Sequence, residues 1–237
     1  MSITKETLIA EINEGFDTYT PSDEVISQIG AIDLTIVTGP SGVGKNSLIE
    51  ATSLPRILAE TIRPPRANNG TMERDGVEYE FRGNDLDGVI ADYRNRNYVQ
   101  IGMGPGRNSF YASRIANYPK SGSVLKDLMT NQVEGMRQLP FGSVEAVHIA
   151  VLSYDLWIDR LNRRGQMTEA DYASRIAEAI TSITDALDDE RYTFILNDNL
   201  DTAAIALRSF ALTREKVARD HKKARKCAAV LLKDLIR

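Results

Sequence analysis

The stretch Thr35-Ile36-Val37-Thr38-Gly39-Pro40-Ser41-Gly42-Val43-Gly44-Lys45-Asn46-Ser47-Leu48-Ile49 decides the fold. It reads as a buried strand, a glycine-rich turn and the start of a helix. The apolar run from Leu34 to Val37 is short, partly β-branched and halts at Gly39, as a strand does on entering a turn. Gly39, Gly42 and Gly44 allow backbone angles and close approaches that a Cβ blocks. Successive N–H groups can then turn inward around a phosphate chain, and the helix N-terminus adds partial positive charge. Lys45 reaches the outer phosphates. The spacing is that of a phosphate-binding loop, Gly-x-x-x-x-Gly-Lys-Ser/Thr, except that Asn46 stands where the magnesium-binding hydroxyl belongs. Ser47 is adjacent, but on a helix it points about 100° away.

Outward from this loop, 237 residues allow one large domain or two small ones. Hydrophobic content of 42% and charged content of 26% are those of an ordinary globular chain. A net charge of −4 argues against a bulk nucleic-acid coat. The single cysteine, Cys227, excludes an intrachain disulfide, and His148 and His221 are too far apart in sequence to read as a zinc site. No apolar run approaches the roughly 18 residues of a membrane span, and the N-terminus lacks a signal-peptide core. A cytoplasmic location is expected.

Upstream, Leu8, Ile9, Ile12 and Phe16 repeat at helical spacing. Thr20-Pro21-Ser22-Asp23 then predicts a second helix with a cap, a proline at its first position and an acid in its first turn, stopping at Gly30. Downstream, Glu60 to Arg66 contains two prolines that forbid a helix, so Arg63 and Arg66 form an anion fork on a stiff segment. Val77 to Phe81 alternates like a strand, Asp85 to Asn95 reads as a short helix, and Tyr98 to Ile101 and Ser109 to Ser113 read as strands. In Val124 to Leu128, Lys126 and Asp127 interrupt a weak strand pattern. Ala146 to Leu152 is a buried strand in which His148 is a hydrogen-bonded core residue. Thr168 with Asp171 opens a long helix as a variant capping box, and Thr193 to Leu196 is the last strand. Residues 201–237 are helical in pattern, with Val217, His221, Ala224, Ala228, Leu231 and Leu235 at coiled-coil-like spacing. Arg214 to Arg237 holds nine Lys/Arg against three acids, a solvated basic face by default. Strands alternating with helices predict an α/β fold, a parallel sheet flanked by helices, with a small β-rich insert.

At this point the order of features resembles guanylate kinase, over roughly residues 32–200. Gly39 to Lys45 is similar to that family's phosphate loop, including its Pro-Ser pair. Thr61-Ile62-Arg63-Pro64-Pro65-Arg66 resembles its Thr-Thr-Arg-x-Pro-Arg segment, and Asp75 to Phe81 resembles its Gly-x-x-Tyr-x-Phe strand. Tyr111-Ala112-Ser113 sits where the family has Tyr-Gly-Ser/Thr. Arg160 to Gly165, then Arg175 to Ala179, are similar to its lid, and Asn197 to Leu200 to its Asn-Asp-Asp-Leu turn beside the adenine.

The resemblance implies a P-loop kinase core (31–62, 114–162 and 176–200), a monophosphate-binding insert (63–113) and a helical lid (163–175), with helical extensions at 1–30 and 201–237. It implies ATP and Mg²⁺ as cofactors and a GMP-like acceptor. Lys45, Arg164 and Arg175 would be catalytic. Gly39, Ser41, Gly42, Val43, Gly44, Lys45, Asn46, Ser47 and Asn197 would bind ATP, with Asn46 as the magnesium ligand. Arg63, Arg66, Tyr79, Gln100, Tyr111 and Ser113 would bind the acceptor. Gln100 replaces the family's base-reading glutamate, Ala59 a phosphate-contacting serine and Met129 a second carboxylate, leaving Asp127 as the nearest acid. A non-catalytic protein-binding domain of this fold, and a kinase for another monophosphate, stay open, as does a homo-oligomer. Neither a membrane nor a nucleic-acid partner is expected.

Overall fold

The computed structural model describes residues 3–68, 71–104, 107–163, 167–215 and 218–237. Pro105 and Gly106 of the glycine-rich turn, Arg164, Gly165 and Gln166 of the expected lid, and Val217 lie outside them. The chain opens with α1 (Lys5–Gly15), capped by Thr4, and α2 (Asp23–Gln28). The cap of α2 is Ser22, whose hydroxyl accepts from the Val25 amide. Thr20 and Pro21 therefore lie outside the helix they were expected to start. Next come β1 (Ile32–Thr38), α3 (Lys45–Ala51), the short strands β2 (Glu60–Thr61), β3 (Ala67–Asn68), β4 (Thr71–Met72) and β5 (Glu80–Phe81), and α4 (Leu86–Arg94). The chain continues through β6 (Tyr98–Met103), β7 (Phe110–Arg114), β8 (Gly122–Asp127), α5 (Val133–Arg137), β9 (Ser143–Ala150), α6 (Tyr154–Asn162), α7 (Glu169–Asp188), β10 (Thr193–Leu196), α8 (Leu200–Thr213) and α9 (Ala218–Leu235). Thr168 and Asp171 form the expected reciprocal cap on α7.

Two compact units result: residues 1–32, 57–122 and 139–142, and residues 33–56, 123–138 and 143–237. In the second, a four-stranded sheet has the order β10-β9-β1-β8, and β1, β9 and β10 run parallel. Its strands are buried almost throughout, as a sheet covered by helices requires. The first unit is built on a mixed sheet, β5-β2-β7-β6. Residues directly opposite one another in a ladder share a face. Phe110 and Ala112 face a cluster made by Leu8 and Ile12 of α1 and Val89 and Ile90 of α4. Tyr111, opposite Thr61 and Gly102, and Ser113, opposite Gln100, therefore lie on the other face.

Two stretches depart from the sequence pattern. Val77 to Phe81 is strand only at Glu80–Phe81, because Gly76 takes a left-handed φ of 73° and residues 75–78 fold into a turn that leaves Val77 exposed. Conversely, β8 runs straight through Lys126. That side chain is fully buried, with no hydrogen-bond partner for its ammonium among the described residues. Burial pushes its pKa down to about 7, against the opposing pull of the Asp127 charge. The unfolded chain then holds a proton that the folded chain lacks between about pH 7 and the ordinary lysine value of 10.5. Stability is expected to rise across that window, by at most about 1.4 kcal/mol per pH unit. Lys126→Met should flatten the rise and stabilise the protein at pH 8 in urea unfolding. An unchanged slope would assign the effect to other groups.

Candidate functional site

Two groups of the sequence-predicted residues come together, one in each unit. In the second unit the loop between β1 and α3 has Gly39, Gly42 and Gly44 at φ values of 135°, 88° and 93°, where side chains are strained. A Cβ on Gly44 would also lie 2.6 Å from the Asn197 amide nitrogen. The loop's carbonyls are pinned from behind. Trp157 Nε1 donates to Ser41 O at 2.8 Å, while Asn197 Nδ2 and Arg160 donate to Val43 O at 2.7 and 3.2 Å. Because a trans peptide sets its N–H opposite its C=O, the Gly42 and Gly44 amides are turned to the other side, as a phosphate cradle needs. Lys45 Nζ spans the loop to Gly39 O at 2.6 Å, with Asp127 4.0 Å away.

Ser41 is nearly buried, and its hydroxyl lies 2.7 Å from the Arg175 guanidinium and 3.1 Å from the Glu178 carboxylate. The structure thus brings Arg175 to the loop. Arg164 lies outside the described residues. Asn197 is buried and serves as a strut under the loop, its own amide N–H bonded to Ala150 O. Trp157 was assigned no role from the sequence, and Arg160 and Glu178 were placed only within the segments similar to the family's lid, not against this loop. Their contacts span more than 100 residues, and nothing local marks them. Directly behind the loop, the His148 ring lies 3.2 Å from the Thr38 hydroxyl and is fully buried. Burial, then the Lys45 charge, lowers its pKa to about 3, so it is a neutral core residue.

The side-chain oxygen of Asn46 is engaged by a cation. Its Oδ1 accepts from Arg56 NH2 at 3.2 Å. A Mg²⁺ ion bound to that oxygen at about 2.1 Å would face a guanidinium across it. Ser47 is exposed on the first turn of α3. Among the described residues no group of three His, Cys, Asp or Glu side chains could hold a metal ion. The residues present do not fit a protein-held magnesium.

In the first unit Arg63 is the centre. It is 5% exposed and donates through Nε to the Tyr111 hydroxyl at 3.1 Å. Its plane lies over the Tyr79 ring, 4.7 Å from the centroid, and the Tyr79 and Tyr111 rings are 5.9 Å apart. Glu73 takes the other edge of the guanidinium in a fork-to-fork pair, at 2.6 and 3.0 Å, and also accepts from the Arg66 amide. Burial disfavours both charges. Even so, the pairing holds Arg63 above its ordinary pKa and Glu73 below the usual carboxylate range. Glu73 was missed because an acid is not what an anion site advertises in sequence. The Arg66 side chain is exposed. Gln100 donates its amide to Ile101 O at 2.6 Å, which leaves Oε1 as its acceptor. Ser113 shares the face of Tyr111 but is fully buried, 2.9 Å from the Tyr118 hydroxyl.

No protein-family model matches the chain. It is 30% identical to guanylate kinase of Vibrio vulnificus over 216 residues, 86% of this chain and 97% of that one. It is likewise 30% identical to guanylate kinase of Thermosynechococcus vestitus over 182 residues, covering 73% and 90%. The crystal structure of guanylate kinase from Anaplasma phagocytophilum shares its fold, with a TM-score of 0.51 at 20% identity over 84% of this chain and 90% of that one. With a phosphate loop in one unit, an arginine–tyrosine cluster in the other and relatives matched over nearly their whole length, the chain belongs to the guanylate kinase family.

Proposed function

We propose that this protein is an ATP-dependent nucleoside monophosphate kinase that converts GMP or dGMP to the diphosphate. The observation that carries the reading is that one chain holds two groups of different build, each suited to a phosphate. One is a cradle of backbone amides with Lys45, the other a guanidinium–phenol cluster at Arg63. Transfer between two nucleotides needs one for the donor and one for the acceptor. The names of the relatives support GMP as the acceptor. On this reading residues 63–113 are the acceptor-binding insert and residues 163–175 the lid.

The acceptor's phosphate oxygen is already an anion, so the reaction needs no general base. It needs two negative groups aligned and their repulsion cancelled. Lys45 and the Gly42 and Gly44 amides hold the donor phosphates. Arg63 with Tyr79 and Tyr111 holds the acceptor phosphate, and the exposed Arg66 adds a second guanidinium. Arg175, beside Ser41, brings the kind of positioned arginine that is worth about 10³-fold or more in phosphoryl transfer. Magnesium enters as the counter-ion of ATP, not as a ligand of this protein.

A coupled assay of ADP release across the common monophosphates tests the reading. Turnover should be fastest with GMP or dGMP and absent in Lys45→Ala, whose side chain bonds loop carbonyls, pairs loosely with Asp127 and contributes little to packing. Turnover by that variant at the wild-type rate would remove the loop from the mechanism. Arg63→Ala should raise KM for the monophosphate about ten-fold or more, the loss of one charge-assisted bond, and leave KM for ATP nearly unchanged. Equal effects on both substrates would take the acceptor away from Arg63.

Gln100 generates a sharper test. Guanine presents N1–H and a 2-amino group, both donors, whereas Gln100 has one acceptor oxygen to give. Gln100→Glu is therefore expected to raise the preference for GMP over IMP by roughly 1–2 kcal/mol, as a neutral hydrogen bond becomes charge-assisted. An unchanged ratio would mean that this side chain does not face the base.

A further inference from the structure

At position 46 the chain departs most from the phosphate-loop pattern, and the neighbour of that position is a cation. Arg56, ten residues on, bonds the Asn46 side chain at 3.2 Å through one terminal nitrogen. It forms no ion pair among the described residues, and its Nε, shielded from solvent, has no hydrogen-bond partner there. The backbone fixes where it stands, because Arg56 bridges Leu125 of β8 and the Leu125 amide bonds Pro55 O. A buried guanidinium N–H left without an acceptor costs free energy unless something supplies one. Among charged side chains it stands near the buried Lys126 of β8, a like charge that disfavours the ammonium of that lysine.

We propose that Arg56 is a resident counter-charge for the donor nucleotide, tethered by Asn46 at the corner where the motif would otherwise place a magnesium ligand. The amide in place of a hydroxyl then has a physical reason. A hydroxyl at position 46 would turn its oxygen to a metal, whereas an amide oxygen on a longer side chain holds a guanidinium by an ordinary N–H···O bond. The guanidinium in turn offers its remaining N–H groups to phosphate oxygens, the geometry it matches best. Nucleoside triphosphate binding to this chain is therefore independent of divalent cations. The inference rests on the assignment of the loop to the donor nucleotide and concerns binding, not turnover.

Titration of the full chain with a fluorescent N-methylanthraniloyl ATP, in excess magnesium chloride and in excess EDTA, tests it without an activity readout. Wild-type affinity is expected to agree within about two-fold in the two media, since the charge is built in. Arg56→Gln should bind about ten-fold or more weakly in EDTA, as loss of a charge-assisted bond predicts, and recover part of that loss in magnesium. Thermal unfolding checks that the variant is folded, and the wild-type comparison needs no variant. Wild-type binding that collapses in EDTA, with Arg56→Gln behaving as wild type in both media, overturns the proposal. In that case Lys45→Ala separates the two ideas. Metal-dependent binding abolished by Lys45→Ala leaves the loop as the donor site and removes only Arg56. Binding that is absent in both media, or untouched by Lys45→Ala, overturns the donor assignment and the inference with it.

Discussion

The orientation of two peptide planes in the phosphate loop governs what this protein can do. An amide cradle works only if the carbonyls belonging to it are committed elsewhere, because an unpaired carbonyl turned inward would repel the phosphate. Here the Trp157 indole takes Ser41 O, and Asn197 together with Arg160 takes Val43 O. Arg160 also accepts the task of fixing Asn197, by donating to its backbone carbonyl at 2.9 Å. The loop is therefore held in shape by α6 and by the turn after β10, so its amides are organised before any ligand arrives. Electrostatic preorganisation of this kind is where phosphate sites gain most.

The first unit solves a different problem, that of keeping guanidinium groups buried. Arg82 is satisfied by Glu60, Asp92 and Asp85, and Arg114 by Glu60 and Glu80. Glu60 itself is 1% exposed, so removing either arginine would leave its charge underpaired in a dry environment. Arg63 is treated in the same way by Glu73, but with a difference that matters. One edge of Arg63 meets a phenol and its face meets a ring, neutral partners where Arg82 and Arg114 have further carboxylates. On the proposed reading, the same chemistry serves as scaffold at Glu60 and as an anion-receiving group at Arg63.

Lys126 and His148 show how much buried polarity the central sheet carries. Each is wholly enclosed, and each has a nitrogen without a partner among the described residues. In His148 the Nδ1 atom meets the Thr38 hydroxyl, and burial keeps the ring neutral. The Lys126 amine can stay neutral only by giving up a proton that water would have let it keep.

Much of the architecture was legible in the sequence. The glycine spacing, the apolar run before it and the alternation of strand and helix patterns determine a phosphate loop on an α/β core, since these signals act within one turn or one strand. Thr168 with Asp171 and the run Thr193 to Leu196 were legible for the same reason. Tertiary structure alone decided the rest. Val77 looked like strand until the Gly76 turn removed it, and Lys126 looked like a strand breaker although β8 runs through it. The pairing of Glu73 with Arg63, of Arg56 with Asn46 and of Trp157 with Ser41 O joins residues 10 to 116 positions apart. Such contacts depend on where the chain returns in space. A periodicity or a motif reports only what a residue's near neighbours require, so it names the loop and the arginines but not the partners that set their charge and direction.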